Sequence, residues 1–167
     1  MALLCGCVLA LGLSQSASAA VPQATLRGAF AVAPPSAPPA VKAMIKAGNR
    51  IRHKPYKWGG GHGGGWWSPG GYDCSGSVSY VLHAAGLLDS PLDSRGFMHY
   101  GGGGGGAWVT IYANDGHAYA VIAGLRFDTS QTTDGDRSGP GWSETLLDNR
   151  GFRVRHPLGL LHATPLG

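Results

Sequence analysis

The order of its periodicities places this chain in the α+β class. Two stretches with apolar residues at helical spacing come first, and a series of short apolar or alternating runs separated by turn residues follows. Alanine, proline and glycine concentrate between these stretches and separate the elements from what joins them. The 167 residues suffice for one domain with a modest core.

Taken in order, residues 1–19 read as a secretory signal. Ala2 to Leu13 is apolar but too short to cross a bilayer, and Ala17-Ser18-Ala19 supplies small residues at cleavage spacing, although no Lys or Arg precedes the apolar run. No stable membrane span is expected. A lipobox at Leu4-Cys5-Gly6-Cys7 would leave almost no apolar run ahead of the lipidated cysteine, so it is the weaker reading. Cleavage after Ala19 removes Cys5 and Cys7 and leaves Cys74 as an odd thiol in an exported protein, which calls for a reactive role or an intermolecular bridge. Residues 20–39, ending Ala33-Pro34-Pro35-Ser36-Ala37-Pro38-Pro39, have the composition of an extended linker, and the folded domain is expected over 40–167.

Within that domain Val41, Met44, Ile45 and Ile51 recur at roughly helical spacing, predicting a first helix that stops by the glycines at 59–61. The His62 to Gly71 stretch, with Gly63-Gly64-Gly65-Trp66-Trp67, and the Gly101 to Gly106 run read as structureless loops bordering whatever the scaffold presents. Neither is followed by the Gly-Lys-Ser/Thr of a phosphate loop. Between them Val78, Val81, Leu82 and Ala85 form the apolar stripe of a second helix, with Gly86 as its stop and Asp73 as its N-cap. Cys74 then lies in the first turn, where unpaired backbone N–H groups and the helix dipole favour the thiolate.

The downstream half changes period. Trp108 to Tyr112, His117 to Ala123, Arg126 to Ser130 and Phe152 to Arg155, separated by Asn114-Asp115-Gly116, Gly124 and Gly151, predict an antiparallel meander. Alternation places His117, Tyr119 and Val121 on one face and Ala118, Ala120 and Ile122 on the other. A histidine at a strand mouth can reach a helix N-terminus packed on the sheet and pair with its thiol. Asp128 on the next strand is the carboxylate placed to orient that imidazole.

Asp73-Cys74-Ser75-Gly76 followed by an apolar helix, then a histidine opening a strand, resembles the NlpC/P60 family of cell-wall peptidases, over about Val41 to His156. Tyr56-Lys57-Trp58-Gly59-Gly60 is similar to the family's Tyr-x-x-Gly-Gly segment, and the strands carrying His117 and Asp128 are similar to those bearing its histidine and third catalytic residue. The resemblance implies a papain-like α+β fold with N-terminal helices packed on an antiparallel sheet. It implies Cys74 as nucleophile, His117 as base and Asp128 as orienting residue, a position where the family more often has His, Glu, Asn or Gln. Tyr56, Asp73 and Ser75 are expected beside the substrate. That substrate would be a peptidoglycan stem peptide, commonly cut between D-glutamate and a diamino acid, by a secreted or wall-associated enzyme needing no metal or other cofactor.

The glycine-tryptophan insert and the Gly101 to Gly106 run are longer than the family pattern and leave substrate preference open. Rival readings are a CHAP-type peptidoglycan amidase or endopeptidase, a non-catalytic wall-binding module of the same fold, and a dimer bridged through Cys74; a monomer is the default. Charged residues are 13% of the chain and the formal charge is +4, with Arg50, Arg52, Lys54 and Lys57 clustered. A solvated face is the default for that cluster, an anionic wall polymer is the alternative, and no nucleic-acid partner is expected. Trp66, Trp67, Trp108 and Trp142 are expected to pack rather than line a groove. His53, His62, His83, His99, His156 and His162 lack metal-ligand spacing and are read as structural.

Overall fold

Helix α1 (Pro39–Ile51) starts on a proline, whose missing N–H is no loss in a first turn, and buries Val41, Met44, Ile45, Ala47, Gly48 and Ile51 along one side. The structure is a computed structural model described for residues 21–63, 65–130 and 139–160. Helix α2 (Cys74–Ala84) is buried from Cys74 through Leu82 on all its sides, so it is a central helix rather than the one-faced helix its apolar stripe predicts. It ends at Gly86, whose φ of 68° allows the Gly86 N–H to reach the His83 carbonyl and the Leu87 N–H to reach that of Leu82.

The remaining elements are β1 (Thr25–Arg27), β2 (Phe30–Val32), α3 (Ser94–Phe97), β3 (Gly102–Gly103), β4 (Val109–Ala113), β5 (Ala118–Ile122), β6 (Leu125–Asp128), β7 (Gly141–Ser143) and β8 (Arg153–His156). Strands β3 to β8 form one antiparallel sheet in the order β3-β8-β4-β5-β6-β7. Helix α2 packs on β5 and β6, and α1 packs on α2, β5 and β7. The expected α+β arrangement of N-terminal helices on an antiparallel sheet is the arrangement found. At the α1–β7 contact a Cβ on Gly48 would run into the Trp142 ring, so this glycine sets how closely helix and strand approach.

Two expectations are corrected. The stretch 20–39 is not an extended linker over its described part: β1 and β2 pair as a hairpin, and Ala24, Ala31 and Ala37 are buried. The Asn49 side chain of α1 holds this hairpin by accepting from the Ala31 N–H (3.0 Å) and donating to its carbonyl (2.8 Å). Alanine-rich composition conceals such packing because the partner is remote in sequence. The Gly101 to Gly106 run is not structureless either, since Gly102 and Gly103 pair with His156 and Arg155. Strand β7 and helix α3 complete the fold without having been expected. The signal expected over 1–19, with Cys5 and Cys7, and His162 lie outside the described residues.

Candidate active site

The start of α2 is built around Asp73. With an extended backbone it caps the helix, its Oδ1 accepting from the Gly76 N–H at 2.7 Å while Oδ2 accepts from the Gly59 N–H at 3.0 Å. Gly60 completes the junction: its carbonyl accepts from the Asp73 N–H and lies so close to Gly76 that a Cβ there would collide with it. The segment 55–60 is held alongside by a bridge between Tyr56 and Tyr72, in which Lys57 N–H meets Tyr72 O and Tyr72 N–H meets Pro55 O. The glycines of Tyr56-x-x-Gly59-Gly60 and of Asp73-Cys74-Ser75-Gly76 thus answer one close backbone crossing.

His117 is placed by the β4–β5 turn. The Asn114 side chain accepts from the N–H groups of Gly116 and His117, and the Asn114 N–H bonds the His117 carbonyl, so the histidine stands at the mouth of β5. The β5–β6 register pairs Val121 with Arg126, which puts Asp128 on the sheet face of His117. His117 Nε2–H donates to Asp128 Oδ1 across 2.9 Å. That leaves Nδ1 for Cys74, whose sulfur is met by the His117 side chain and the Ala118 backbone N–H, with Ser94 Oγ at 3.7 Å. Phe152 stands edge-on to the imidazole.

The charges follow from these contacts. Burial opposes ionisation of the Cys74 thiol, but the hydrogen bonds from His117, Ala118 and Ser94 and the His117 charge together bring it below its ordinary value. Burial likewise opposes the imidazolium, yet Asp128 and Cys74 outweigh it and His117 is pushed up to about 9. Asp128, buried, is held below the usual carboxylate range mainly by His117 and by Ser130, whose hydroxyl donates to Oδ2 at 2.7 Å. Lowered thiol and raised imidazole are the signature of a thiolate–imidazolium pair.

Cys74 opens into a cleft of about 370 Å³ lined also by Trp58, His62, Ser75, Asp93 and Ser94. Of the residues expected beside a substrate, Asp73 and Ser75 line this cleft, but both are largely buried and their hydrogen bonds run within the protein. His62 Nε2–H reaches Asp73 Oδ1 at 2.9 Å and Ser75 Oγ at 3.2 Å, and the Ser75 hydroxyl donates to Asp73 Oδ1 at 3.3 Å. His62, a residue read as structural from sequence, lines the cleft beside them. Its bond to Asp73 raises its pKa against burial. Tyr56 is half-exposed, and burial, followed by the charges of Cys74 and Asp73, raises its hydroxyl, which stays a proton donor.

The expected packing role holds for Trp66, Trp108 and Trp142, while Trp67 is partly exposed. Trp108 and Trp142 are buried, Trp66 stacks on His83 with centroids 3.7 Å apart, and Trp67 is flanked by Arg50 and Lys54. The cleft tryptophan is instead Trp58, 84% exposed. His62 and Trp58 were legible only as members of the glycine-rich segments around the Tyr56 motif. Ser94 carried no signal, since it belongs to an unexpected one-turn helix.

No family model matches this chain, and no curated protein does. Among solved structures it is similar to an NlpC/P60 family protein from Bacillus cereus ATCC 10987, at 22% identity and a TM-score of 0.53, over 72% of this chain and 41% of that one. It is also similar to the peptidoglycan hydrolase RipB from Mycobacterium tuberculosis, at 21% identity and a TM-score of 0.51, over 75% of this chain and 72% of that one. The chain thus spans less than half the length of the Bacillus protein. Central cysteine-bearing helix, histidine strand and antiparallel sheet together place this chain in the NlpC/P60 fold.

Proposed function

We propose that this chain is an exported cysteine peptidase that hydrolyses a peptide bond of peptidoglycan stem peptides. The observation that carries the reading is the line from Cys74 through His117 to Asp128, with a lowered thiol, an imidazole raised to about 9 and an open cleft at the sulfur. The similarity to a peptidoglycan hydrolase of the same fold supports the polymer as substrate. The bond between D-glutamate and a diamino acid is the expected target, through the motif resemblance of Asp73-Cys74-Ser75-Gly76.

In the proposed reaction the Cys74 thiolate attacks the scissile carbonyl carbon, and the carbonyl π electrons move to oxygen. The oxyanion is received by the Cys74 N–H, which lies in the first helical turn beyond intrahelical acceptors, and by the Tyr56 hydroxyl. His117 passes the proton on Nδ1 to the leaving amine as the C–N bond breaks, giving a thioester. Water then attacks the thioester carbonyl, His117 takes the water proton, and the acid leaves with Cys74 restored as thiolate. Asp128 keeps its negative charge throughout and holds the ring in the orientation that points Nδ1 at sulfur. Asp73 and Ser75 stand at the cleft and hold His62 at its wall.

The test is incubation of the protein with peptidoglycans of several stem types and measurement of released amine. Wild type should release it, and Cys74→Ala and His117→Ala should not. Equal release by wild type and Cys74→Ala, or none by either, would refute the proposal.

A further inference from the structure

A stripe of positive charge runs along the outer side of α1 and ends at the cleft. Lys42, Lys46 and Arg50 are exposed at four-residue intervals, which stacks them about 6 Å apart on one helix face. Lys54, the next positive group of the stripe, is tied to Arg50 through an aromatic ring. The Arg50 guanidinium and the Lys54 ammonium each lie 4.7 Å from the Trp67 ring centroid. Lys57 follows, then Trp58, which is exposed and lines the Cys74 cleft.

Among the described residues Lys42, Arg50 and Lys54 are positioned by neutral partners rather than by carboxylates. Lys42 Nζ donates to the Pro35 carbonyl at 2.6 Å and Lys54 Nζ to that of Pro69 at 3.1 Å, contacts that fix the ammonium groups and leave their charge intact. Among the described residues no carboxylate pairs with Lys42, Lys46, Arg50, Lys54 or Lys57. The cause lies in the sequence: all 9 acidic residues of the chain stand at or beyond Asp73, so nothing acidic is available along the segment that forms α1 and the loop after it. A chain of modest formal charge thereby carries a strongly one-sided field.

We infer that this stripe is a docking track for a linear polyanion with a phosphodiester backbone, of the kind joined to a cell wall, and that it feeds the cleft. A linear arrangement at regular spacing suits repeating charges on an extended chain better than a single headgroup, which needs convergent donors. Trp58, exposed at the cleft, adds a face on which the sugar or polyol carbons of such a polymer can lie. The identity of the polymer rests on the wall reading of the active site. Binding itself does not, and it is measured without hydrolysis.

The experiment compares binding of the full chain to a polyglycerol phosphate, to monomeric glycerol phosphate at matched phosphate concentration, to single-stranded DNA of matched length, and to phosphatidylcholine vesicles with and without phosphatidylglycerol. The polymer should bind and the monomer should not. With three to five phosphates contacted, log affinity should fall with log salt at a slope of about −2 to −3.5. Lys46→Gln, Arg50→Gln and Lys54→Gln together should weaken polymer binding at least about tenfold and flatten that slope to about −1, with cleavage of a small soluble stem peptide unchanged. The charge-conserving set Lys46→Arg, Arg50→Lys and Lys54→Arg should keep polymer binding, which separates charge from damage to the fold. Unchanged binding by the glutamine variant, no polymer binding by wild type, or equal binding of the monomer would overturn the inference. Tighter binding of the DNA would also overturn it by assigning the track to nucleic acid, and tighter binding of the anionic vesicles by assigning it to a membrane.

Discussion

Asp128→Asn isolates what the buried carboxylate does for the thiol. Its side chain is fully buried and lies 2.9 Å from His117 Nε2. Against burial, Asp128 and Cys74 bring His117 from its ordinary 6.5 to about 9. At ~1.4 kcal/mol per pH unit this is roughly 3–4 kcal/mol of preference for the imidazolium, shared between the two partners. With roughly half or more from Asp128, removing its charge should lower the His117 pKa by about one to two pH units. The thiol pKa should rise in response, so the pH window that holds the thiolate–imidazolium pair narrows from both sides. Asparagine can still accept from the Thr129 and Ser130 N–H groups now bonded to Oδ1, so the loop after β6 should stand. The assay is the rate of iodoacetamide alkylation of Cys74 against pH. At neutral pH it should fall about 10- to 30-fold, with the alkaline change displaced downward from about 9. An unchanged profile would refute the reasoning and leave Asp128 a buried carboxylate that merely closes its loop.

Gly76→Ala places a Cβ against the Gly60 carbonyl and should destabilise the fold by about 1–3 kcal/mol, read as a lower urea midpoint. Asp73→Asn should keep most of the helix cap but remove the charge that raises His62, lowering the His62 pKa in an NMR titration; Asp73→Ala should in addition lose about 1 kcal/mol of stability. The His117–Asp128 pair should impose its own pH dependence. The folded-state pKa of His117 is raised, so its stabilisation is complete below 6.5 and is lost as pH rises through about 9. That of Asp128 is lowered, so its contribution is present above the ordinary carboxylate range and is lost as pH falls through the depressed folded value. The stability difference between wild type and His117→Ala should therefore shrink as pH rises from about 6.5 to about 9, and a difference independent of pH would contradict the pairing.

Local signals carried much of the fold because they are local in origin. The N-cap at Asp73, the stop at Gly86 and the turn before His117 are each decided within a few residues, and each forms as the sequence predicts. What escaped depends on distant partners. The β1–β2 hairpin leans on Asn49, Gly102 and Gly103 pair with residues more than fifty positions away, and β7 is three residues long and defined by β6. The same division runs through the site. Cys74 and His117 announce themselves through a helix start and a strand mouth. His62 sits in a glycine-rich stretch with no period, and only its bond to Asp73 turns it toward the cleft.

The proposed chemistry turns on Cys74 forming and releasing an acyl group of the stem peptide. The most direct measurement is mass spectrometry of muropeptides after incubation with wild type and with Cys74→Ala. Wild type should yield fragments with a new amine on the diamino acid and a new carboxylate on D-glutamate, and Cys74→Ala should yield neither. Identical fragments from both proteins would contradict the assignment of Cys74 as nucleophile. Release of intact stem peptides from the glycan would instead assign the cleft to an amidase.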